Sequence, residues 1–202
     1  MKTKRVDIRR MVLLAMLGGI LLMMSFTPLG YLNIGPLAIS LNMIPVAIGA
    51  VALGPGGGAF LGAVFGFTSC LQCVGIGGTS PMGVVLFEIS PILTMFQRFV
   101  PRVLAGWLTG FLYRAGRKLR VKQAAYVAGF GAALLNTLLF MTALVLLFGR
   151  TEYLQELIAG RNILVFVLSF VGINAVVELL AATVTTGAVC KALEKLKMIG
   201  GK

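Results

Sequence analysis

Long runs of hydrophobic residues dominate the chain, and short polar or glycine- and proline-rich segments interrupt them. A membrane-spanning helix needs about 20 predominantly apolar residues, and six runs are candidates for one. These predicted helices cover residues 9–27, 41–54, 57–74, 92–114, 124–148 and 162–190. The second and third are short or broken by glycine, so a tilted or partly re-entrant path is open to them. The pattern predicts an all-α membrane protein that forms a single domain over residues 1–202.

Composition agrees with this fold class and argues against a soluble enzyme. Of the 202 residues, 58% are hydrophobic and 12% are charged, whereas soluble domains are about 45–50% apolar and 25% charged. The net charge of +12 raises nucleic acid as a partner. The basic residues, however, fall into clusters that the apolar runs separate, and they do not form one face with interleaved aromatic residues. We therefore expect a lipid bilayer and no nucleic acid as the partner.

The basic clusters also predict an orientation. Three clusters, at residues 2–10, 114–122 and 191–202, hold 14 of the 18 basic residues. Cytoplasmic loops of membrane proteins are enriched in Lys and Arg, and six crossings place all three clusters on one side. We therefore expect six transmembrane helices with both termini in the cytoplasm. A cleaved signal peptide is the alternative for the first run, but further spans follow it and no small-residue cleavage site ends it.

Two connecting segments are apolar yet rich in glycine and proline, at residues 27–37 and 75–91. Neither sequence suits a regular helix, and irregular apolar backbone at membrane depth is tolerated only where protein or a cavity covers it. We predict that both segments are lids over a binding site and not plain connectors. Tyr31 and Asn33 of the first lid segment are candidate substrate contacts. Glu88 of the second is either a ligand contact or an exposed charge.

The residue types that support catalysis or metal binding are scarce. The chain has no histidine, which removes the usual general base and metal ligand. Cys70 and Cys73 supply only half of a four-ligand zinc site, so we expect packing roles for them. The glycine-rich turn at residues 54–58 lacks the Gly-Lys-Ser/Thr ending of a nucleotide-binding loop. We therefore expect no catalytic residue, no metal and no cofactor. If the protein transports a solute against a gradient, ions or another subunit must supply the energy.

Polar residues within the predicted spans are the candidate binding site, because ionisable groups inside a membrane are by default functional. Arg98 and Arg102 lie one turn apart on the fourth predicted helix, with Arg102 about 15 Å along it. Asn136 falls midway along the fifth. Asn174 lies about 18 Å into the sixth, and Glu178 follows one turn later. Three consecutive helices therefore place polar groups at similar depth.

A purely structural network of these groups is the alternative. In that case Glu178 pairs with an arginine, and the asparagines join helices by hydrogen bonds worth about 0.6–2 kcal/mol. One carboxylate against two arginines leaves a positive charge over, which a buried network should avoid. An anionic ligand would complete the network.

Two other functions are possible. A self-sufficient secondary transporter needs intramembrane acids for ion coupling, and Glu178 is the one candidate in the predicted spans. A membrane enzyme is the other, but the sequence offers no clustered acid pair for catalysis.

Small residues recur every four positions on three predicted helices, a spacing that lets helix backbones approach closely in lipid. The stripes are Gly54, Gly58, Gly62 and Gly66 on the third helix, Gly106 and Gly110 on the fourth, and Ala15 and Gly19 on the first. We expect the first two stripes to pack within the chain. The first helix has a sequence neighbour on one side only, so Ala15 and Gly19 are candidates for docking a partner protein.

Five stretches of the chain, in this order, resemble one known family. They are Thr27-Pro-Leu-Gly-Tyr31, the glycine-rich segment 44–68, segment 101–114, Asn136-Thr137, and Asn174 with Glu178. Together they resemble the substrate-binding S component of energy-coupling factor (ECF) vitamin transporters. Each stretch is weakly specific by itself, and their order and the chain length carry the resemblance.

The resemblance implies a multi-pass protein of the cell membrane that captures a vitamin on its outer side, beneath the loop between helices 1 and 2. It also implies a membrane coupling subunit and two cytoplasmic ATPase subunits as partners. The family usually carries Ala-x-x-x-Ala on its first helix for docking on the coupling subunit, and Ala15 and Gly19 occupy that place here. The pattern is most similar to pantothenate-type members, with riboflavin-type members as the nearest rival.

Overall fold

A computed structural model describes residues 8–27, 30–34, 37–77, 80–121, 123–160 and 162–196. The side chains of residues 31–39, 163–164, 166–171 and 173–174 lie outside this description. In chain order the elements are α1 (Ile8–Ser25), β1 (Tyr31–Ile34), β2 (Leu37–Ser40), α2 (Met43–Leu53), α3 (Pro55–Cys73), α4 (Pro81–Ile89), α5 (Pro91–Lys118), α6 (Ala124–Phe148), α7 (Glu152–Ile158) and α8 (Ile163–Lys195). All six predicted helices are present, as α1, α2, α3, α5, α6 and α8.

Proline and glycine set several helix boundaries. The helices α3, α4 and α5 begin at Pro55, Pro81 and Pro91, where a missing N–H costs nothing because first-turn donors have no helical acceptor. Gly54 alone separates α2 from α3 and has a φ of 83°, a conformation that glycine adopts without strain. The predicted break between the second and third helices is therefore a one-residue turn.

Among the described residues, four segments are long and apolar enough to cross a membrane, namely Ile8–Ser25, Pro55–Cys73, Ala124–Phe148 and Ala175–Lys195. The 11 residues of α2 rise about 16 Å, which is well short of a hydrocarbon core of about 30 Å. The 28 residues of α5 are long enough, but its arginines and basic C-terminal turn make it less apolar. The count of six spans and the cytoplasmic termini stay predictions.

The first lid segment contributes β1 to a short antiparallel hairpin, whose second strand runs on from Leu37 to Ser40. The strand β1 pairs with β2, with Tyr31 opposite Ser40 and Ile34 opposite Leu37. Pairing lets an apolar segment satisfy backbone N–H and C=O groups that would otherwise be costly to remove from water. The all-α prediction therefore holds for the described elements except this hairpin. The helical periodicity of hydrophobic residues does not predict a short strand.

Two short helices, α4 and α7, were not predicted. Ser80 caps α4 by accepting from the Gly83 N–H at 3.3 Å, and Thr151 caps α7 by accepting from the Leu154 N–H at 3.4 Å. Both pack against α6 in one apolar cluster, made of Met82, Leu86, Met141, Leu144, Phe148, Leu154 and Ile158. The prediction that the second lid segment suits no regular helix is therefore wrong, because α4 occupies Pro81–Ile89 and packs on the protein.

The glycine stripes of α3 and α5 meet, as predicted for packing within the chain. A Cβ atom at Gly58 would lie 2.2 Å from the Gly106 carbonyl oxygen, and one at Gly106 would lie 2.2 Å from the Gly58 carbonyl oxygen. Only residues without a side chain allow two helix backbones to come this close. The crossing fixes α5, and with it both buried arginines, against α3.

Candidate functional site

Two buried arginines form the centre of the candidate site. Arg98 and Arg102 of α5 are 6% and 5% exposed. They lie one turn apart, and Arg102 Nη1 donates a hydrogen bond of 2.5 Å to the Arg98 carbonyl oxygen. The structure thus places both cationic groups on one buried face of α5, as the spacing predicts.

Aromatic rings flank both guanidinium groups. The Phe140 ring of α6 has its centroid 5.3 Å from Arg98 Cζ and 5.3 Å from Arg102 Cζ. Phe65 of α3 lies on Arg102, with 4.5 Å between Cζ and the ring centroid. Ring faces attract cations but accept few hydrogen bonds, so they hold the arginines in place without consuming most of their five N–H donors.

Arg98 also reaches the second lid segment. Its Nη2 donates to the Ser80 hydroxyl at 3.1 Å, at the residue that caps α4. The neighbouring turn is close as well, because a Cβ atom at Gly83 would lie 2.9 Å from the same nitrogen. Glycine at this position lets α4 approach Arg98, so α4 and the arginine form one unit.

The positive charge of Arg98 has no acidic partner among its described contacts. Its polar partner is the Ser80 hydroxyl, its aromatic partner is Phe140, and no described residue accepts a hydrogen bond from its Nε. An isolated buried charge is costly to remove from water. The neutral contacts of Arg98 do not offset that cost. A carboxylate or another planar anion would supply the missing acceptors in bidentate geometry.

Asn136 adds a neutral polar group on α6. It is 8% exposed and precedes Phe140 by one helical turn, so both side chains lie on the same face. No described residue forms a hydrogen bond with its Oδ1. Its amide oxygen can therefore accept a hydrogen bond from a ligand beside the arginines.

Two further buried amides were missed by the sequence analysis. Gln97 and Asn42 are both fully buried, and the described part of the chain offers no partner to any of their side-chain N or O atoms. Asn42 lies at the foot of the hairpin, where its Oδ1 would be 2.7 Å from a Cβ at Gly30. The available signal was the one used for Asn136, a polar amide inside an apolar stretch.

Glu178 of α8 contacts the hairpin. Its Oε1 accepts a hydrogen bond of 2.5 Å from the backbone N–H of Ser40, the last residue of β2. Arg102 is close enough to interact with it electrostatically. The structure therefore brings Glu178 to the edge of the arginine site, with one carboxylate oxygen already bound to the hairpin.

Three predicted contacts fall on side chains that the structure does not describe. The backbones of Tyr31 and Asn33 belong to β1, where they face Ser40 and Ala38 of β2. Asn174 belongs to α8, two residues after a non-helical kink at Gly172 (φ 28°, ψ −125°). All three side chains lie outside the described residues, so their contact with a ligand stays a prediction.

The cysteines of α3 lie beside this site, since a Cβ atom at Gly83 would be 2.9 Å from both Arg98 Nη2 and Cys73 Sγ, and both arginines interact electrostatically with Cys70. Cys70, Cys73 and Cys190 are free thiols, and Cys73 and Cys190 are buried, which agrees with packing roles. Within the described ranges no group of three His, Cys, Asp or Glu side chains is placed to hold a metal ion. Glu88 is exposed.

The predicted docking pair lies on an open face of α1. Ala15 and Gly19 are both exposed, and a Cβ atom at Gly19 would meet no described atom within 4 Å. Met11, Met16 and Met23 of the same helix are 57–59% exposed. Ala15 and Gly19 are therefore not used for packing against the described residues, unlike the glycine stripes of α3 and α5.

Comparison with known proteins gives one family and two relatives. The family described as "ECF transporter, substrate-specific component" matches residues 9–189. The pantothenic acid transporter PanT of Lactococcus lactis subsp. cremoris is 28% identical over 82% of this chain and 84% of its own length. The pantothenate transporter PanT of Leuconostoc mesenteroides subsp. mesenteroides is 27% identical over 84% of each chain. With its family match over most of the sequence and its four apolar helices, the chain is a multi-pass membrane protein that belongs to the substrate-specific components of ECF transporters.

Proposed function

We propose that this protein is the membrane-embedded subunit that binds pantothenate for uptake by an ECF transporter. The observation that carries the proposal is the buried pair Arg98 and Arg102, with a shared aromatic ring and no acidic contact described for Arg98. Pantothenate is a carboxylate, which is the kind of group that arginine binds best. The relatives, which are pantothenate transporters by name, support the same assignment.

The neutral part of pantothenate needs partners as well, because it carries an amide and two hydroxyl groups. Asn136, Gln97 and Asn42 are buried amides with side-chain atoms that lack described partners. A buried polar group without a hydrogen bond costs about 1–3 kcal/mol, so a ligand that satisfies these amides gains affinity. Tyr31, Asn33 and Asn174 are further ligand contacts in this proposal.

The proposed arrangement in the membrane has six spans, formed by α1, α2, α3, α5, α6 and α8, with both termini in the cytoplasm. The short helix α2 covers only part of the hydrocarbon thickness in its span. The hairpin and α4 then lie on the outer side and cover the arginine site. The basic residues on the inner side, among them Arg114, Arg117 and Lys118, support this orientation. Vitamin enters from outside, between the hairpin and α4.

The open face of α1 is the proposed docking surface for the coupling subunit of the transporter, which in turn works with two cytoplasmic ATPase subunits. Ala15 and Gly19 allow a second helix to approach closely there. Because this chain carries no nucleotide-binding loop in its sequence, ATP hydrolysis by those subunits supplies the energy.

Equilibrium binding to the purified protein tests the substrate. We expect pantothenate to bind, and panthenol, the alcohol that lacks the carboxylate, to bind at least about tenfold more weakly, because charged hydrogen bonds are worth about 1.5–3 kcal/mol. Equal affinity for the two compounds would contradict an anion site. Binding of riboflavin with no binding of pantothenate would favour the rival assignment.

Uptake into proteoliposomes tests the coupling. We expect labelled pantothenate to accumulate only when the coupling subunit and the ATPase subunits are present and ATP is supplied. Accumulation of equal size without them, driven by an ion gradient, would instead identify a self-sufficient secondary transporter.

A further inference from the structure

One hydrogen bond ties the hairpin to the helical body across 138 positions of sequence. Glu178 Oε1 of α8 accepts from the Ser40 backbone N–H at 2.5 Å, and β2 packs against α8. The donor is the strand's own backbone, so the bond holds the path of β2 and not merely the direction of a side chain. A carboxylate acceptor makes this bond roughly twice as strong as one between neutral groups.

This bond lies where the hairpin joins the helical body. Ser40 ends β2, and Asn42 immediately before α2 is buried against Gly30 at the other foot of the hairpin. Glu178 therefore fixes the strand at the end where the hairpin joins the helices. Without this bond, the hairpin keeps its own strand pairing but loses this described link to α8.

A direct role of Glu178 in binding an anion fits the charges poorly. Two carboxylates at close range repel each other, whereas Arg102 already attracts Glu178 and would attract an anionic ligand for the same reason. Glu178 also has one oxygen already engaged with Ser40. These charges favour Arg102 as the contact of an anionic ligand and Glu178 as the contact of the hairpin.

We infer that Glu178 is a positioning residue that fastens the hairpin to α8 through the Ser40 N–H and thereby controls how fast the vitamin enters and leaves. The inference rests on the proposed function for the identity of the ligand. The bond itself belongs to the ligand-free protein, so one of its tests needs no vitamin.

The chain offers matched variants for both ends of the bond. Ser40→Pro removes the donor, and Ser40→Ala keeps it; proline suits an edge strand, and Ile39 before it is already in a strand, as a residue preceding proline prefers. Glu178→Ala removes the acceptor, and Glu178→Gln keeps a neutral one. Thermal unfolding of each purified variant shows whether it is folded.

The first measurement is amide hydrogen exchange of the hairpin without ligand. We expect exchange in residues 37–40 to be about tenfold faster in Glu178→Ala than in the wild type, with Glu178→Gln in between. Ser40→Pro should accelerate the remaining hairpin amides similarly, and Ser40→Ala should leave them unchanged. Unchanged exchange in both Glu178→Ala and Ser40→Pro would overturn the inference, whatever the ligand is.

The second measurement is the rate of pantothenate binding and release. We expect Glu178→Ala and Ser40→Pro to raise kon and koff together, by about tenfold, so that Kd changes much less than either rate. The double variant should be no faster than either single variant, because both remove the same bond. A rise in koff alone, with additive effects in the double variant, would instead make Glu178 a direct ligand contact and refute the positioning role.

The two proposals fail in different ways. If the wild-type protein binds no pantothenate, the proposed substrate is wrong, and hydrogen exchange still tests the bond. If pantothenate binds but the hairpin variants exchange and bind like the wild type, only the positioning role of Glu178 is wrong.

Discussion

Gly62 of α3 lies directly against the backbone of Arg102, since a Cβ atom at Gly62 would be 2.4 Å from the Arg102 carbonyl oxygen. We predict that Gly62→Ala pushes α5 away, lowers the thermal unfolding midpoint and weakens pantothenate binding by about tenfold or more, because overpacking costs about 1–3 kcal/mol. Gly56→Ala, on the same helix with nothing within 4 Å, is the control and should change neither quantity. Calorimetry in detergent measures both the pantothenate affinity and the thermal unfolding midpoint.

Loss of either buried arginine should weaken binding through charge. We predict that Arg98→Gln and Arg102→Gln each reduce pantothenate affinity by about 10- to 150-fold, since a hydrogen bond to a charged group is worth about 1.5–3 kcal/mol. Panthenol binding should change much less. Arg150→Gln removes an exposed charge and serves as the control for general electrostatic attraction. Wild-type affinity in both buried variants would disprove the anion site.

The Phe140 ring faces both arginines, so its removal should act on the pair. We predict that Phe140→Leu, which keeps an apolar side chain of similar size, weakens pantothenate binding by about three- to thirtyfold, because a cation–π contact is worth about 0.5–2 kcal/mol. Phe130→Leu changes an exposed ring on the same helix (46% exposed) and should leave affinity intact. Titration of each variant with pantothenate in the same detergent measures the two affinities, and equal affinities would contradict the role of Phe140.

Two buried glutamines should respond with opposite signs to the same substitution. Gln72 Nε2 donates to the Ser25 carbonyl oxygen at 2.8 Å, whereas no described residue binds the Gln97 amide. We predict that Gln72→Met destabilises the ligand-free protein by about 1–3 kcal/mol, while Gln97→Met is neutral or stabilising, because it removes an unsatisfied buried group. If Gln97 binds vitamin, Gln97→Met also weakens pantothenate binding. Equal destabilisation by both substitutions would contradict this difference.

Enlarging the small residues of α1 should separate uptake from binding. We predict that Ala15→Leu and Gly19→Leu abolish ATP-driven uptake and co-purification with the coupling subunit, yet leave pantothenate affinity unchanged, because both positions are exposed. Met16→Leu on the same helix is the matched control, since it keeps the size of an already large exposed side chain. Parallel loss of vitamin binding in the Leu variants would place these residues in the site instead.

The sequence predicts the long helices and the shared face of the two arginines because both depend on residues close together in the chain. Hydrophobic length fixes a membrane helix almost independently of its neighbours, and spacing by four fixes that Arg98 and Arg102 share a face. The end positions of α6 at Ala124 and Phe148 agree with the prediction for the same reason. The glycine stripes predicted close packing, but not that Gly58 would meet Gly106.

The hairpin, α4 and the buried amides needed the tertiary structure. A short segment becomes strand or helix according to which surface it packs on, so Tyr31–Ile34 and Pro81–Ile89 carried no decisive periodic signal. Gln97 and Asn42 carried the same sequence signal as Asn136, an amide inside an apolar stretch, but only the fold showed that their amides are buried without described partners.

By itself, the sequence determined that this is a helical membrane protein with two arginines on one face of a long helix, because apolar length, charge position and helical spacing act over one or two turns. Only the tertiary structure decided which groups meet across the chain. It set Phe140 between the arginines, Ser80 on Arg98 and Ser40 on Glu178. Such contacts depend on how distant helices cross, and close packing sets that geometry through residues far apart in sequence.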